Sequence, residues 1–204
     1  MFQEEWVTVI VPTTPDRFEF NESIIRQFMA QDYPKKNILL SYDSETVGEK
    51  RNRLCKAAIG SIIVHMDSDD YYAPDWISTS VDVLLSSGCD IVGLDNFNLI
   101  DLEANTCWSY DYLSLHKPWV AGATMCYWKR FWEQEPFRSI NVGEDNWFVW
   151  KEKTNVLAHG YKDRFVASIH GKNTSKRVLC WPHYTECQTE EKMKIIHNIQ
   201  NQFQ

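Results

Sequence analysis

Short, unbroken apolar runs alternate with longer stretches in which apolar residues recur every three or four positions, and the alternation holds from Trp6 to about Leu94. Runs of the first kind suit strands buried on both faces, and stretches of the second kind suit helices with one buried face. Residues 6–12 predict a first strand, with Thr13-Thr14-Pro15-Asp16-Arg17 as the loop beyond its carboxyl end. Asn21 offers a helix cap, and Ile24, Ile25, Phe28 and Met29 keep one apolar face as far as about Gln31. Tyr33-Pro34 closes that helix; residues 38–42 predict a second strand leading to Asp43, and residues 48–58 a second helix. A third strand, entered through Gly60, runs Ile62-Ile63-Val64-His65-Met66 and stops at Asp67-Ser68-Asp69-Asp70. Pro74-Asp75 starts a third helix with Ile77, Val81, Leu84 and Leu85 on one face and Gly88 at its end, and residues 90–94 predict a fourth strand. Alternation at this pace predicts an α/β fold, a mostly parallel central sheet with helices on both faces whose strand exits open on one crevice.

Past Leu94 the periodicity weakens. Residues 96–112 read as a hairpin or loop excursion, and residues 119–128 as a strand in which Gly122 lets a ligand or another backbone come close. A short helix is expected over 129–134, another opens at Gly143-Glu144-Asp145, and a strand over 166–170 precedes the polar Gly171-Lys172-Asn173-Thr174-Ser175. The tail, about 189–203, carries Met193, Ile196 and Ile199 as an apolar stripe and predicts an amphipathic helix packed on the domain or, in a homo-oligomer, on a partner copy. No repeat or linker interrupts the chain, so residues 1–204 are expected to form a single domain.

Charge and composition narrow the partners. A net charge of −7 argues against broad nucleic-acid or anionic-membrane binding. No apolar stretch approaches the ~20 residues of a membrane span. Met1-Phe2-Gln3-Glu4-Glu5 lacks the basic and apolar regions of a signal peptide, so a cytoplasmic protein is expected. The six cysteines show no C-x-x-C spacing, which speaks for small buried hydrophobes over a zinc site and leaves a Cys180–Cys187 bridge open.

The acidic cluster is the strongest chemical signal. Three carboxylates within four positions at the mouth of a buried strand repel one another, and a hard divalent cation bound through oxygen removes that cost. Asp43, at the exit of the second strand, is either a turn residue or an acceptor for a base or ribose. Arg51 in the first turn of a helix opposes the macrodipole and calls for a diphosphate or the acidic cluster nearby, whereas Lys50 and Arg53 read as solvated charges. Glu144-Asp145 either complement a helix dipole or carry chemistry, and His170 is either a satisfied strand-end group or a metal ligand. Trp119, Trp128 and Trp147 are candidates to stack on a sugar or acceptor as well as to fill the core.

Several of these pieces, taken in order, resemble a nucleotide-sugar glycosyltransferase of the GT-A fold, most closely glycosyltransferase family 2. They are Val9-Ile10-Val11-Pro12-Thr13 with Arg17, Asp43-Ser44, Gly48-Glu49-Lys50-Arg51-Asn52, Asp67-Ser68-Asp69-Asp70, Pro74-Asp75-Trp76, Gly122-Ala123-Thr124 and Gly143-Glu144-Asp145. The resemblance runs from about Trp6 to about Asn173. It implies a Rossmann-like GT-A domain, with a nucleotide-binding half over about 6–112 and an acceptor-side half over about 113–180, and the helix read from the tail's apolar stripe follows over about 188–204. It further implies transfer of one sugar from a UDP-sugar to a carbohydrate or other hydroxyl-bearing acceptor, with inversion, and Mn²⁺ or Mg²⁺ as cofactor. On that basis Pro12, Thr13 and Arg17 would line the nucleotide pocket, Asp43 would accept from the uracil and Arg51 would face the phosphates. Asp69 would ligate the metal, Asp67 would lie near the ribose or donor sugar and share the metal, and His170 would complete the site. Asp145 would be the general base, supported by Glu144, with Gly122 on the acceptor side. The family's second acid before Ser44 is replaced by Tyr42, and the Q-x-x-R-W signature of processive synthases is absent, which favours a single transfer over polymerisation.

Rival readings fit less of the chain. A haloacid-dehalogenase-type phosphatase also places D-x-D at a strand exit, but it wants Thr or Val where Asp70 stands and leaves Pro12, Asp43 and Arg51 unexplained. A nucleotidyltransferase wants a Gly-rich loop after its first strand, which Pro12-Thr13-Thr14-Pro15 is not. The non-enzymatic reading is a catalytically weak module that binds the sugar nucleotide without turning it over.

Overall fold

Alternate residues of the first strand point to opposite faces, and each face meets its own helices. The computed structural model describes residues 5–113, 117–175, 179–188, 190 and 192–196. In chain order the first half comprises β1 (Val7–Pro12), α1 (Phe18–Met29), β2 (Lys36–Ser41), α2 (Val47–Ala57), β3 (Ile62–His65), β4 (Tyr71–Tyr72) and α3 (Trp76–Ser87). Next come β5 (Ile91–Gly93), β6 (Asn96–Asp101), β7 (Thr106–Asp111), β8 (Cys126–Trp128) and α4 (Lys129–Gln134). The remainder is α5 (Glu144–Val149), β9 (Val156–Ala158), β10 (Phe165–Ser168) and β11 (Tyr184–Glu186). The main sheet has the order β2-β1-β3-β8-β5-β9, and among its described strands β8 alone runs against its neighbours.

On one face Val7, Val9 and Val11 of β1 pack with Ile62 and Val64 of β3 against Ile24 and Phe28 of α1 and Ile77, Val81 and Leu84 of α3. On the other, Ile10 and Ile63 meet Leu54 and Cys55 of α2, Phe131 of α4 and Phe148 of α5. Burial on both faces is what gives these strands their continuous apolar runs. The expected α/β sheet with helices on both faces is the fold observed.

A second sheet has the order β11-β7-β6-β10-β4, of which the sequence reading gives the β6–β7 excursion and β10 but not their assembly into a sheet. Its β6–β7 hairpin is the excursion expected over 96–112, and Tyr72, Phe97, Leu99, Phe165 and Ala167 carry it onto the first face of the main sheet. The strand expected over 119–128 shrinks to Cys126–Trp128, because Gly122–Thr124 forms a 3-10 turn. Thr124 causes the break: its hydroxyl donates to the Ala121 carbonyl and accepts the Leu94 N–H, taking partners that a ladder would otherwise use. Of the expected tail helix, residues 192–196 are helical with Ile195 buried, and the rest lies outside the described residues. Among the described residues no helix is long and apolar enough to cross a membrane.

Candidate active site

β1 and β3 run side by side and end together, with Val9 opposite Val64, Ile10 opposite His65, and the Met66 N–H donating to the Ile10 carbonyl. Their exits therefore bring Pro12 and Arg17 next to Asp67 and Asp69. α2 starts just behind, fixed by a capping box in which the Thr46 hydroxyl accepts the Glu49 N–H and the Glu49 carboxylate accepts the Thr46 N–H. With the start fixed, both Lys50 and Arg51 turn inward. Lys50, expected as a solvated charge, is instead buried, and its Nζ donates to the Thr13 carbonyl at 2.7 Å. Burial depresses its pKa, and the carbonyl supplies the partner that the ammonium loses from water.

Arg51 is 3% exposed and lies between two acids. Its Nη1 donates to Glu144 Oε1 at 2.5 Å, and its Nη2 is 3.8 Å from Asp67 Oδ1. Burial alone would depress the guanidinium, but Glu144, Asp67 and Asp145 together hold its pKa above the ordinary value. Burial raises the Asp67 and Glu144 carboxyls, with Arg51 pulling the other way. One buried cation thus joins the acidic loop after β3 to the start of α5.

Asp69 is crowded with donors. Its Oδ2 accepts from Arg17 Nη1 at 3.2 Å, from Asn173 Nδ2 at 3.2 Å and lies 2.9 Å from His170 Nε2. Arg17 also donates to the Lys172 carbonyl, so the 170–173 turn is drawn against the loop after β1. Asp70 turns away and accepts the Ser168 N–H, which fastens β10 to the acidic loop. Tyr72 does the same on the other side, accepting the Asp67 N–H and donating to the Ala123 carbonyl.

The acids fit a hard divalent cation only in part. Asp67 Oδ1 is buried and accepts no hydrogen bond, which leaves a carboxylate oxygen available as a ligand. Among the described residues, however, no three His, Cys, Asp or Glu side chains gather closely enough to complete a metal centre. A site of one or two carboxylates that takes its other ligands from water and substrate phosphates matches this donor set.

Across the cavity, the Asp145 carboxylate leans on the bare Cα of Gly122, where an added Cβ would lie 2.7 Å from Oδ2. Its Oδ1 accepts the Asn146 N–H, and Asn146 Oδ1 accepts the Trp119 indole N–H at 2.6 Å. The Gly122 carbonyl is held from below by His65 Nδ1 at 2.7 Å, whose Nε2 lies 3.0 Å from Tyr127 Oη, itself 3.2 Å from Cys55 Sγ. Burial, with Arg51 adding to it, pushes the His65 pKa well down, so this ring is a neutral link between β3 and the 122–124 turn.

These groups enclose a cavity of about 290 Å³ lined on the strand-exit side by Pro12, Arg17, Arg51, Asp67 and Asp69, and across it by Trp119, Gly122, Glu144 and Asp145. Thr13 is buried with its hydroxyl on Asn21, Asp43 sits outside with 57% of its side chain exposed and ion-paired to Arg53, and Trp128 packs between the two cores. None of the three lines the cavity, and His170 reaches it through Asp69 and Asn173. Arg53, expected as a solvated charge, also bonds Glu45 and Ser41.

A family model described as glycosyl transferase family 2 matches residues 20–143, more than half of the chain. The chain belongs to glycosyl transferase family 2. No curated protein sequence matches it. Among solved structures, the family 2 chain is similar to S. aureus TarS 1–349 in complex with UDP, at 15% identity over 80% of this chain and 60% of that one, TM-score 0.58. It is also similar to the mannosyltransferase PcManGT from Pyrobaculum calidifontis in complex with GDP-Man and Mn²⁺, at 16% identity over 82% and 57%, TM-score 0.60. TarS 1–349 in complex with UDP-GlcNAc matches at 16% identity over 97% and 72%, TM-score 0.62. At such identities the likeness shows the GT-A fold, and this chain spans about 60% of the first two of these proteins.

Within this family 2 site, sequence reasoning missed Asn173 as a partner of Asp69, His65 beneath Gly122, and Phe97 and Phe165 in the cavity wall. His65 had a signal, a lone polar residue inside the apolar run of β3. Phe97 and Phe165 had none, since they reach the cavity through the second sheet.

Proposed function

We propose that the chain transfers one sugar from a nucleoside-diphosphate sugar, a UDP-sugar in the first instance, to an acceptor hydroxyl with inversion at the anomeric carbon. The observation that carries this is a single cavity with Arg17, Asp67 and Asp69 at the exits of β1 and β3 and Asp145 facing them from α5. The relatives solved with UDP, UDP-GlcNAc and GDP-Man support the donor class, and the Mn²⁺ in PcManGT supports a divalent cofactor.

Mn²⁺ or Mg²⁺ would be held by Asp69 and Asp67, with His170 behind Asp69, and would supply positive charge to the departing diphosphate. Pro12 and Arg17 flank the nucleotide, and the Arg17 guanidinium adds charge to the phosphates as the bond to the anomeric carbon breaks. Asp145 Oδ2 takes the proton of the acceptor hydroxyl, whose oxygen attacks from the face opposite the leaving phosphate; that line of attack inverts the centre. Glu144 keeps α5 in place through Arg51 and does not itself carry the proton. Trp119, tethered to Asn146 beside the base, offers an aromatic face to the acceptor. Asp43 would reach the base only after leaving Arg53.

The test is nucleotide release from a panel of nucleotide sugars with and without Mn²⁺ or Mg²⁺. Turnover of one donor, lost in Asp69→Asn and reduced about 100-fold or more in Asp145→Asn with donor affinity kept, is the expected result. Donor binding without turnover in the unmodified protein would instead favour the binding-module reading. Undiminished turnover in Asp69→Asn would remove the metal assignment.

A further inference from the structure

Cys107 and Cys187, 80 residues apart in the chain, face each other at the edge of the second sheet. The β7–β11 register pairs Tyr184 with Tyr110, Thr185 with Ser109 and Glu186 with Trp108, and the ladder runs one residue further, the Cys187 N–H donating to the Cys107 carbonyl at 2.8 Å. Directly opposed residues of an antiparallel pair have Cα atoms roughly 4.5–5.5 Å apart. That separation lies within the span of a disulfide. The two sulfur atoms are in contact. Around them Tyr71, Ile100, Val166 and Ile195 form a small apolar cluster that joins the C-terminal segment to β4, β6 and β10. Cys107 is buried inside it, while Cys187 is half-buried and the more exposed of the two.

We propose that Cys107 and Cys187 are a site of oxidative cross-linking, closed by exchange with an external disulfide, and that the bond fastens β11 and the C-terminal segment to the second sheet. In the first step the Cys187 thiolate attacks one sulfur of the external disulfide and expels one thiol, leaving a mixed disulfide on Cys187. Cys107 Sγ then attacks Cys187 Sγ and expels the second thiol. The protein gives up two electrons and two protons, and the external disulfide takes them up as two thiols, so no other oxidant is needed. Nothing in this step depends on the sugar donor or on the cavity. β11 is the strand that gains, because Thr185 and Glu186 are exposed and it pairs with one neighbour only among the described strands.

The experiment equilibrates the full chain with oxidised and reduced glutathione, alkylates the remaining thiols and maps the peptides without reduction. The expected result is four alkylated cysteines of the six, with Cys107 joined to Cys187. The unfolding midpoint should also rise by roughly 5–15 °C over the dithiothreitol-reduced protein. Cys180→Ser should keep the cross-link and Cys107→Ser should lose it; if Cys107→Ser fails to fold, Cys187→Ser carries the same comparison. Six alkylated cysteines in natively folded protein at the most oxidising ratio, or a bond mapped to Cys180–Cys187, overturns the proposal. An unchanged midpoint on closure overturns the fastening.

Discussion

At Gly122 the absence of a side chain determines where the proposed base stands. A methyl group there would sit 2.7 Å from Asp145 Oδ2, so Gly122→Ala must push the carboxylate aside. Displacements of this size cost roughly 100-fold in rate, and donor turnover in Gly122→Ala is expected to fall by about that factor with the fold intact. Equal turnover would show that Asp145 does no chemistry from this position. Arg51 makes a second residue-scale case. Removing it in Arg51→Met strands Glu144 as a buried acid and leaves half-buried Asp67 without its cation, and urea unfolding should report a loss of about 3–5 kcal/mol. Adding Glu144→Gln should restore part of that loss, because the buried carboxylate left without its cation is then neutral. Additive losses in the double variant would mean that the two side chains do not interact. That Arg51 calls for an anion, either a diphosphate or the acidic cluster, was legible from its place near a helix start. That the partner is Glu144, 93 residues away, was not.

At the scale of elements, α2 sets the back wall of the site. Thr46-Val47-Gly48-Glu49 spells a capping box, and its closure decides that Lys50 and Arg51 point inward while Arg53 turns out to Asp43 and Glu45. Thr46→Ala is expected to cost about 1 kcal/mol in chemical denaturation. A cost near zero would show that the packing against α5 fixes the helix start without the cap. Gly48 is needed for a different reason, since a Cβ there would lie 1.8 Å from the Arg138 carbonyl oxygen. The same contact brings residues 141–143 over the cavity. The 122–124 turn was misread as strand because Val120, Ala121, Met125 and Cys126 are all apolar and buried, as strand residues are. What ends the ladder is one Thr124 hydroxyl bonding locally, a choice that hydrophobic pattern does not encode.

For the molecule as a whole, stability is tied to pH through His159, which follows β9 and packs near Trp76 of α3 and Tyr161. Burial, with Arg164 nearby, holds its pKa at about 4 against an ordinary 6.5. Between those values the unfolded chain binds a proton that the folded one refuses, so this contribution to stability is complete above about pH 6.5 and is lost as pH falls to 4. His159→Gln should therefore lose less stability than the parent between pH 7 and pH 4, by at most about 3 kcal/mol, in urea titrations at both ends. Parallel losses in the two proteins would rule out a buried neutral His159. The two sheets meet at the cavity, and that arrangement draws on both local and distant information. Strands β1, β2 and β3 and helices α1 to α3 follow from alternation and periodicity within short windows, and with them the exits that bring Pro12, Arg17, Asp67 and Asp69 together. Asp43 shows the limit even there: its strand exit is correct, but Arg53 holds it outside the cavity. Strands as short as β4, β9 and β11 carry too few residues for a pattern, and they exist because partners far along the chain complete their hydrogen bonds. The sequence by itself determined the alternating core and the acidic cluster at its rim, because both rest on neighbours within a few residues. Only the tertiary structure decided that Asp145 faces that cluster across one cavity, that Arg51 joins the two sides, and that Cys107 meets Cys187, because each pairing depends on how separate elements pack.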